Sequence, residues 1–554
     1  MKTVEIFFER TNKKEEVPYG TKIHEIAARY QKYFDSPIMG AKLDNTLLEL
    51  RKPLLKGGKI DFLDLTTTDG LRIYTRGILF IMLMAFRKIY KEAKLYVHHS
   101  LGSGLVCELK DYTVNESLLE NVKKIMSDFV SRDLKFIKDS MDKFEAINFF
   151  EKDYQKEKSL LFKYRKKSTV NTYYCNGFVN YFYGYMPMST GALKWFDLIP
   201  YGDYFILNLP TNDSPNKVPE FEDLPKLASI FMEHEQWGSI LGVKTVGELN
   251  EIIAEGSSEA IELLRIAEVL HEKKSAQIAD ELAKHKEKNL VLVAGPSSSG
   301  KTTFSKRLML HLKVLGITSL QISLDDYFVN RDQTPLDENG NYDFESITAL
   351  DLELFNKNMT DLMKGKKVVL PKYDFKVGKR EHSDKPTRLK KDQLIIVEGI
   401  HGLNEKLTSS IPKEKKYKIY VSALTQMNLD DMNRIPTTDV RLLRRIVRDY
   451  KFRGHSAKNT IRMWANVRKG EEENIFPFQE EADVMFNSAL IYELAVLKMF
   501  AEPLLVQIDN KQPEYTEAKR LLRFIDYFLP LTVFEEIPKT SILREFIGGS
   551  TFEY

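Results

Sequence analysis

Residues Val291–Leu308 read VLVAGPSSSGKTTFSKRL. An apolar run passes into a small, serine-rich loop, then a lysine, two threonines and a helical pattern. Gly295 to Thr302 fit G-x-x-x-x-G-K-[ST]. Small residues let backbone N–H groups turn inward around a phosphate, and the helix start adds its dipole. The reading assigns nucleotide binding to Gly295, Pro296, Ser297, Ser298, Ser299, Gly300, Lys301, Thr302 and Thr303. Lys301 is expected to reach the β- and γ-phosphates and Thr302 to hold Mg²⁺, with ATP as the nucleotide.

Around this loop, strands and helices alternate. LVLVAG, SLQISLDD, VVLPKYDF, QLIIVEGIHG and YKIYVSA read as strands of an α/β, doubly wound domain. SLQISLDDYF follows one strand–helix unit later. Its acidic pair is expected at the end of a neighbouring parallel strand, where open α/β sheets place their sites. Asp325 is thus placed to take a hydroxyl proton or position an acceptor, with a Mg²⁺ contact available. Glu398 ends the strand LIIVE and is expected to serve the metal. DVRLLRRIVRDYKFRG puts Arg441, Arg444, Arg445 and Arg448 along one helical stripe, with Arg453 at the exit. The stripe is expected to close as a lid over a transferring phosphoryl group. A GTPase needs N-K-x-D, and SPNKVPE and DNKQPE both fail its last position. The ABC signature L-S-G-G-Q is absent.

The chain has 554 residues, 43% hydrophobic and 29% charged, with formal net charge +3. At roughly 100–200 residues per domain this predicts three or four domains. So small a charge argues against a global nucleic-acid field. Two cysteines, Cys107 and Cys175, cannot make a disulfide framework and fit a reducing compartment. The opening MKTVEIFFERTNKKEE alternates like a strand and turns charged too early for a cleavable signal. GILFIMLMAF, residues 77–86, is about half the ~20 residues of a spanning helix and reads as buried. The expectation is a cytoplasmic protein without a membrane span.

Five segments are expected: a β-rich module (1–65), an α+β region (69–225), a helical connector (226–287), the phosphate-loop domain (288–490) and a helical extension (491–554). Charged helices are predicted near 114–131 and 146–165. Thr245 and Glu248 form a capping-box pattern. The adjacent His98 and His99 read as structural, on opposite faces of a strand.

The phosphate loop, DDYF, YDF, PKYDF, IVEGIHGL and RLLRRIVRDYKFRG, in that order, resemble the uridine kinase and phosphoribulokinase family over roughly 288–490. The resemblance implies a P-loop kinase with a parallel sheet, using ATP and Mg²⁺ on a small, nucleoside-like acceptor, and forming a homo-oligomer. It implies that Asp325 is the acceptor-side base, that Glu345 binds ribose hydroxyls, that Tyr373 lies beside the base, and that Arg448 and Arg453 are catalytic lid arginines. Arg448 would also touch substrate. The departures lie on the base-reading side. Gly378 stands where the family has a pyrimidine-reading histidine, with His382 out of register. SITA replaces H-P-D-A, His455 replaces a second lid arginine, and Met463 replaces a glutamine. Selectivity for uridine is therefore not implied.

Residues 1–65 resemble a TGS domain, a β-grasp module. Residues 69–225 resemble the second additional, editing domain of threonyl-tRNA synthetase, through DGLRIYTRGILFIMLMAFRKIY and CNGFVNYFYGYMPMSTGALKWFDLI. The family's two histidines, cysteine and later histidine are here Arg76, Phe80, Phe182 and Met186, a set that neither binds Zn²⁺ nor activates water. The resemblance leaves an RNA-linked, nucleotide-switched regulator as the alternative to a kinase. Lys/Arg-rich helices such as KSLLFKYRKK (Lys158–Lys167) would then meet RNA phosphate.

Overall fold

A computed structural model describes residues 2–554, apart from 339, 375–376, 383–384, 426 and the side chain of 382. The chain opens with β1 (Thr3–Phe8), β2 (Lys13–Pro18), α1 (Ile23–Tyr30), β3 (Gly40–Leu43), β4 (Thr46–Leu48) and β5 (Gly58–Leu63). The strand order is β2-β1-β5-β3-β4, with β1 and β5 parallel and the other pairs antiparallel. Strand alternation sends Ile6 and Phe8 of β1 into one core with Ile23 and Ile26 of α1.

Next comes α2 (Thr68–Ile89), capped by the Thr67 hydroxyl, which accepts from Gly70 N–H. Its stretch Ile78–Phe86 is buried throughout. Among the described residues no helix is long and apolar enough to cross a membrane. There follow β6 (Leu95–Leu101), β7 (Gly104–Leu109), α3 (Glu116–Ser131), β8 (Ile137–Asp142), α4 (Lys143–Lys152), α5 (Lys156–Lys163), β9 (Thr169–Cys175), β10 (Phe178–Asn180), β11 (Asp197–Tyr201) and β12 (Tyr204–Asn208). They form two antiparallel sheets, β11-β12-β7-β6 and β10-β9-β8, over α2 and α3. The single helix predicted near 146–165 is two helices. Tyr154 takes a left-handed φ of 59° between them, which an α-helix cannot continue through.

The two histidines also depart from expectation. The β6–β7 register shifts between Val97 and Ser100. The bulge breaks the alternation, so both rings meet α6 (Pro225–Leu241). His98 bridges Glu108 (2.9 Å) and Glu235 (3.7 Å), while His99 stacks on Phe231 with ring centroids 3.7 Å apart.

After α6 come α7 (Val246–Glu255) and α8 (Ser257–Lys284). The capping box forms as its spacing implies, with Glu248 accepting the Thr245 N–H at 2.8 Å. Leu264, Ala267 and Ile278 of α8 share a core with Phe304, Leu308 and Leu312 of the following unit.

That unit runs β13 (Leu290–Ala294), α9 (Lys301–Val314), β14 (Ser319–Ser323), α10 (Leu352–Met363), β15 (Pro371–Asp374), β16 (Lys379–His382), β17 (Leu394–Glu398), β18 (Lys416–Ser422), α11 (Thr437–Arg453), α12 (Ala457–Asn474) and β19 (Val484–Asn487). Its sheet is wholly parallel, in the order β14-β17-β13-β18-β19. Helices cover both faces, so β13 is buried at every residue, as an uninterrupted apolar run requires. Two strand expectations change. VVLPKYDF does not join the sheet; its Pro371–Asp374 pairs with β16 in a separate hairpin. β14 does not adjoin β13, because β17 lies between them. The chain ends in α13 (Glu493–Leu505), α14 (Tyr515–Ile525) and α15 (Arg544–Ile547), which share the core that α11 enters.

Candidate active site

The loop between β13 and α9, the end of β17 and the turn after β14 all lie at the carboxyl edge of the sheet. Backbone geometry explains the loop's glycines. A Cβ on Gly295 would lie 1.9 Å from the Val421 carbonyl oxygen. Gly300 has φ +83°, and its Cβ would meet Ile542 at 2.5 Å.

Thr302, in the first turn of α9, donates its hydroxyl to Glu398 at 3.2 and 3.3 Å from the two carboxylate oxygens. A hydroxyl and a carboxylate converging in this way are hard oxygen donors that suit Mg²⁺. Burial pushes Glu398 up to about 7, against the pull of Lys301. A raised, crowded carboxylate is one that a divalent cation would restore to its charged form. Asp325 follows β14 in a short 3-10 turn, exposed and near enough to Lys301 and Glu398 for their charges to interact. Protein crowded around it raises its carboxyl, opposed by Lys301, Arg453 and Arg448. Burial lowers Lys301, opposed by Glu398 and Asp325. Its ammonium donates back to the Pro296 carbonyl at 3.1 Å. The sequence-predicted set of Lys301, Thr302, Glu398 and Asp325 is thus brought into one electrostatic cluster.

The arginine stripe divides. Arg441 and Arg444 are fully buried and do not face the cleft. Arg441 forks onto Glu471, with the Nη2 contact at 2.8 Å, and donates to the Ser297 carbonyl at 3.2 Å. Arg444 pairs with Glu493 (2.7 Å) and donates to the Ser488 carbonyl (2.8 Å) and the Ser298 carbonyl (3.4 Å). Arg445 donates to the Ser297 hydroxyl at 2.6 Å. These residues brace the outer side of the phosphate loop. The Ser297 N–H is likewise turned outward to Glu471 at 3.0 Å. Ser297 therefore shapes the loop, and the Ser299 N–H closes a turn onto the Pro296 carbonyl at 3.2 Å. The helix is packed in the core through Leu442, Leu443 and Ile446, and this explains why its first arginines cannot move as a lid. Arg448 and Arg453 differ. Arg448 is held by Asp449 at 2.8 Å, and Arg453 is half-exposed, 3.8 Å from Asp449.

One contact lay beyond sequence reasoning. Glu545 of α15 accepts from the Thr303 N–H (3.2 Å) and the Thr303 hydroxyl (2.7 Å). The Tyr554 hydroxyl also reaches Thr303, at 2.9 Å. A carboxylate some 240 positions along the chain thus sits on a residue assigned to the nucleotide. Nothing in its local sequence marks it.

A family model described as "Phosphoribulokinase / Uridine kinase family" matches residues 290–493. The uridine kinase of Macrococcus caseolyticus (strain JCSC5402) is 31% identical over 197 residues, covering 35% of this chain and 86% of that protein. The chain belongs to the phosphoribulokinase/uridine kinase family. The uridine kinase of Staphylococcus aureus (strain JH9) matches with the same identity and coverage. A solved structure described as a possible uridine kinase from Bacillus stearothermophilus aligns with TM-score 0.25 and 20% identity, over 36% of this chain and 89% of that one.

Elsewhere in this kinase-family domain, Glu345 packs against Gly470 of α12, whose Cβ would lie 2.3 Å from its own. Burial pushes Glu345 up to about 7, against Arg445. Tyr373 is buried, and its N–H donates to Asp326 at 3.2 Å. Gly378 has φ +73°, and a Cβ there would meet the Arg331 guanidinium at 2.6 Å. A side chain at 378 would thus strain the backbone and require Arg331 to shift. Phe375 of PKYDF and the His382 side chain lie outside the described residues. Of the four positions set against an editing site in the sequence, three share a core. Phe80, Phe182 and Met186 are buried in one cluster, and Arg76 donates to the Tyr185 carbonyl at 3.0 Å.

Proposed function

We propose that this chain is an ATP- and Mg²⁺-dependent kinase that transfers the γ-phosphate of ATP to a hydroxyl of a nucleoside or a related small molecule. The observation that carries this reading is the Thr302–Glu398 contact at 3.2 Å, with Lys301 and Asp325 close enough to shift its charge. A phosphate-side cation, a metal-holding pair and an acceptor-side carboxylate in one cleft are the parts phosphoryl transfer needs.

In this reading Thr302 and Glu398 hold Mg²⁺, with Asp325 beside them, and residues 295–303 cradle ATP. The metal, when bound, neutralises charge on the β- and γ-phosphates. Asp325 accepts the acceptor's hydroxyl proton, and its raised carboxyl makes it a better base than an ordinary aspartate. Lys301 neutralises charge on the phosphate side. Arg448 and Arg453 bring further positive charge to the mouth of the cleft. Glu345 and Tyr373 orient the acceptor. Positioning and charge neutralisation supply most of the catalysis. Residues 1–65 and 69–225 are read as TGS-like and editing-like modules, the second without hydrolysis, since the corresponding positions are an arginine and three apolar side chains.

The test is ADP release with ATP and Mg²⁺ against a panel of nucleosides and polyols, beside Asp325→Asn. An acceptor that stimulates turnover at least 10-fold, lost in the Asn variant, supports the reading. ATP binding with no acceptor-stimulated turnover refutes it and favours a nucleotide switch.

A further inference from the structure

A cavity of about 520 Å³ has none of the phosphate-loop residues in its lining and lies where several distant parts of the chain meet. Its walls come from residues 45–53, from α2, from Lys138 of β8, from residues 165–185 and from α14 with its exit. The volume falls within the ~300–1,000 Å³ of small-molecule sites. Nine lysines and arginines line it against three carboxylates. Three of the cations are already paired. Arg51 and Lys138 meet Glu49 at 3.8 and 2.8 Å, and Arg520 meets Asp439 and Glu517. Among the described residues the other six, Lys52, Arg76, Arg165, Lys167, Lys519 and Arg523, have no carboxylate within ion-pair distance.

Two of the six are poorly solvated. Arg165 has a guanidinium nitrogen enclosed by protein with no hydrogen-bond partner. Burial pulls Arg76 down to about 10, and its one hydrogen bond goes to a backbone carbonyl. Enclosed, unpaired guanidiniums are costly unless an anion joins them. The remaining wall is aromatic: Tyr173, Tyr181, Tyr183, Tyr185 and Tyr527. Flat rings beside guanidiniums receive a planar group by stacking.

From this lining we infer that the cavity is an effector site for a nucleotide, its phosphate held by Arg165 and Arg76 and its base stacked among the tyrosines. The site reaches the kinase-family domain through α14. The Tyr183 hydroxyl donates to the Arg520 carbonyl at 2.8 Å. The Arg520 guanidinium forks onto Asp439, in the first turn of α11, at 2.6 and 2.7 Å. α11 is the helix that braces the phosphate loop. A ligand that moves α14 therefore biases the loop, and the coupling is reciprocal. The inference does not depend on which acceptor the domain phosphorylates.

The test is calorimetric titration of the full chain with nucleoside monophosphates, after the phosphate loop has been saturated with a non-hydrolysable ATP analogue. Inorganic phosphate and a short hairpin RNA with a single-stranded 3′ end form separate arms. The expected result is one further equivalent of a monophosphate, weakened at least 10-fold by Arg165→Ala and largely rescued by Arg165→Lys. Its affinity should change severalfold between analogue-bound and analogue-free protein. Tighter binding of the RNA than of any monophosphate would overturn a free nucleotide as the ligand. Equal binding of inorganic phosphate would overturn the planar part. No further equivalent in any arm, or one that Arg165→Ala leaves unchanged in a variant that melts like wild type, would overturn the site. Binding with identical affinity in both analogue states would overturn the effector role.

Discussion

Glu545→Gln is expected to tighten ATP binding. Glu545 accepts two hydrogen bonds from Thr303 at the start of α9, where backbone N–H groups and the helix dipole favour an anion. A nucleotide phosphate arriving there meets a carboxylate of the same sign. At a separation of ~5 Å and an effective dielectric of ~20, like unit charges repel by about 3 kcal/mol. Glu545 is partly exposed, so screening reduces this to roughly 1–2 kcal/mol. Glutamine has nearly the same shape and keeps an acceptor for Thr303, so the fold is retained while the charge is lost. The prediction is a 5–30-fold lower Kd for ATP, read by isothermal titration at fixed ionic strength. The gain should shrink as salt rises. An unchanged Kd would show that α15 moves away before nucleotide enters. A weaker Kd would show that Glu545 serves the nucleotide and would refute the argument.

Arg441→Met removes one arm of the buried Arg441–Glu471 pair and leaves Glu471 with Arg468 at 2.9 Å. A loss of about 3 kcal/mol in denaturant-measured stability is expected, with weaker ATP binding because the Ser297 carbonyl loses its brace. Glu345, pushed up to about 7, gives a pH signature. On the proposed reading, protonation below that value turns one carboxylate oxygen into a donor and removes the charge-assisted bonds to the acceptor's hydroxyls, so acceptor KM should rise as pH falls from 8 to 6. Glu345→Gln should flatten that profile. The sign for stability is opposite: a carboxyl raised in the folded state favours the fold at low pH, and that contribution is lost as pH climbs towards 7. Acid and urea melts at pH 5 and 8, beside Glu345→Gln, would read it.

Local chemistry made part of this molecule legible. The loop at 295–302 was readable because phosphate binding needs small residues, a lysine and a helix start at fixed spacing. Glu398 and Asp325 were readable as candidates because Glu398 ends a strand of the parallel sheet and Asp325 lies two residues beyond the end of another. The arginines of α11 were not separable by sequence. Arg441 and Arg448 share a stripe, yet one is sealed against Glu471 of α12 and the other pairs with its neighbour Asp449, a difference set by tertiary packing. Glu545 was invisible because its partner is 242 positions away. The bulge that turns His98 and His99 towards one helix follows from cross-strand register, which neighbouring residues do not encode. The basic cavity is assembled from segments spread between Asn45 and Tyr527, and only one of them, the stretch that holds Arg165 and Lys167, is conspicuously basic in the sequence.

The central claim is phosphoryl transfer to a small hydroxyl acceptor. The most direct measurement incubates the protein with Mg²⁺ and ATP labelled at the γ-phosphate, together with each candidate acceptor, and follows the label. The account predicts a labelled phosphomonoester of one acceptor, formed with stoichiometric ADP and reduced at least 100-fold by Asp325→Asn. Label that stays in ATP, or appears only as free phosphate whichever acceptor is present, would contradict it.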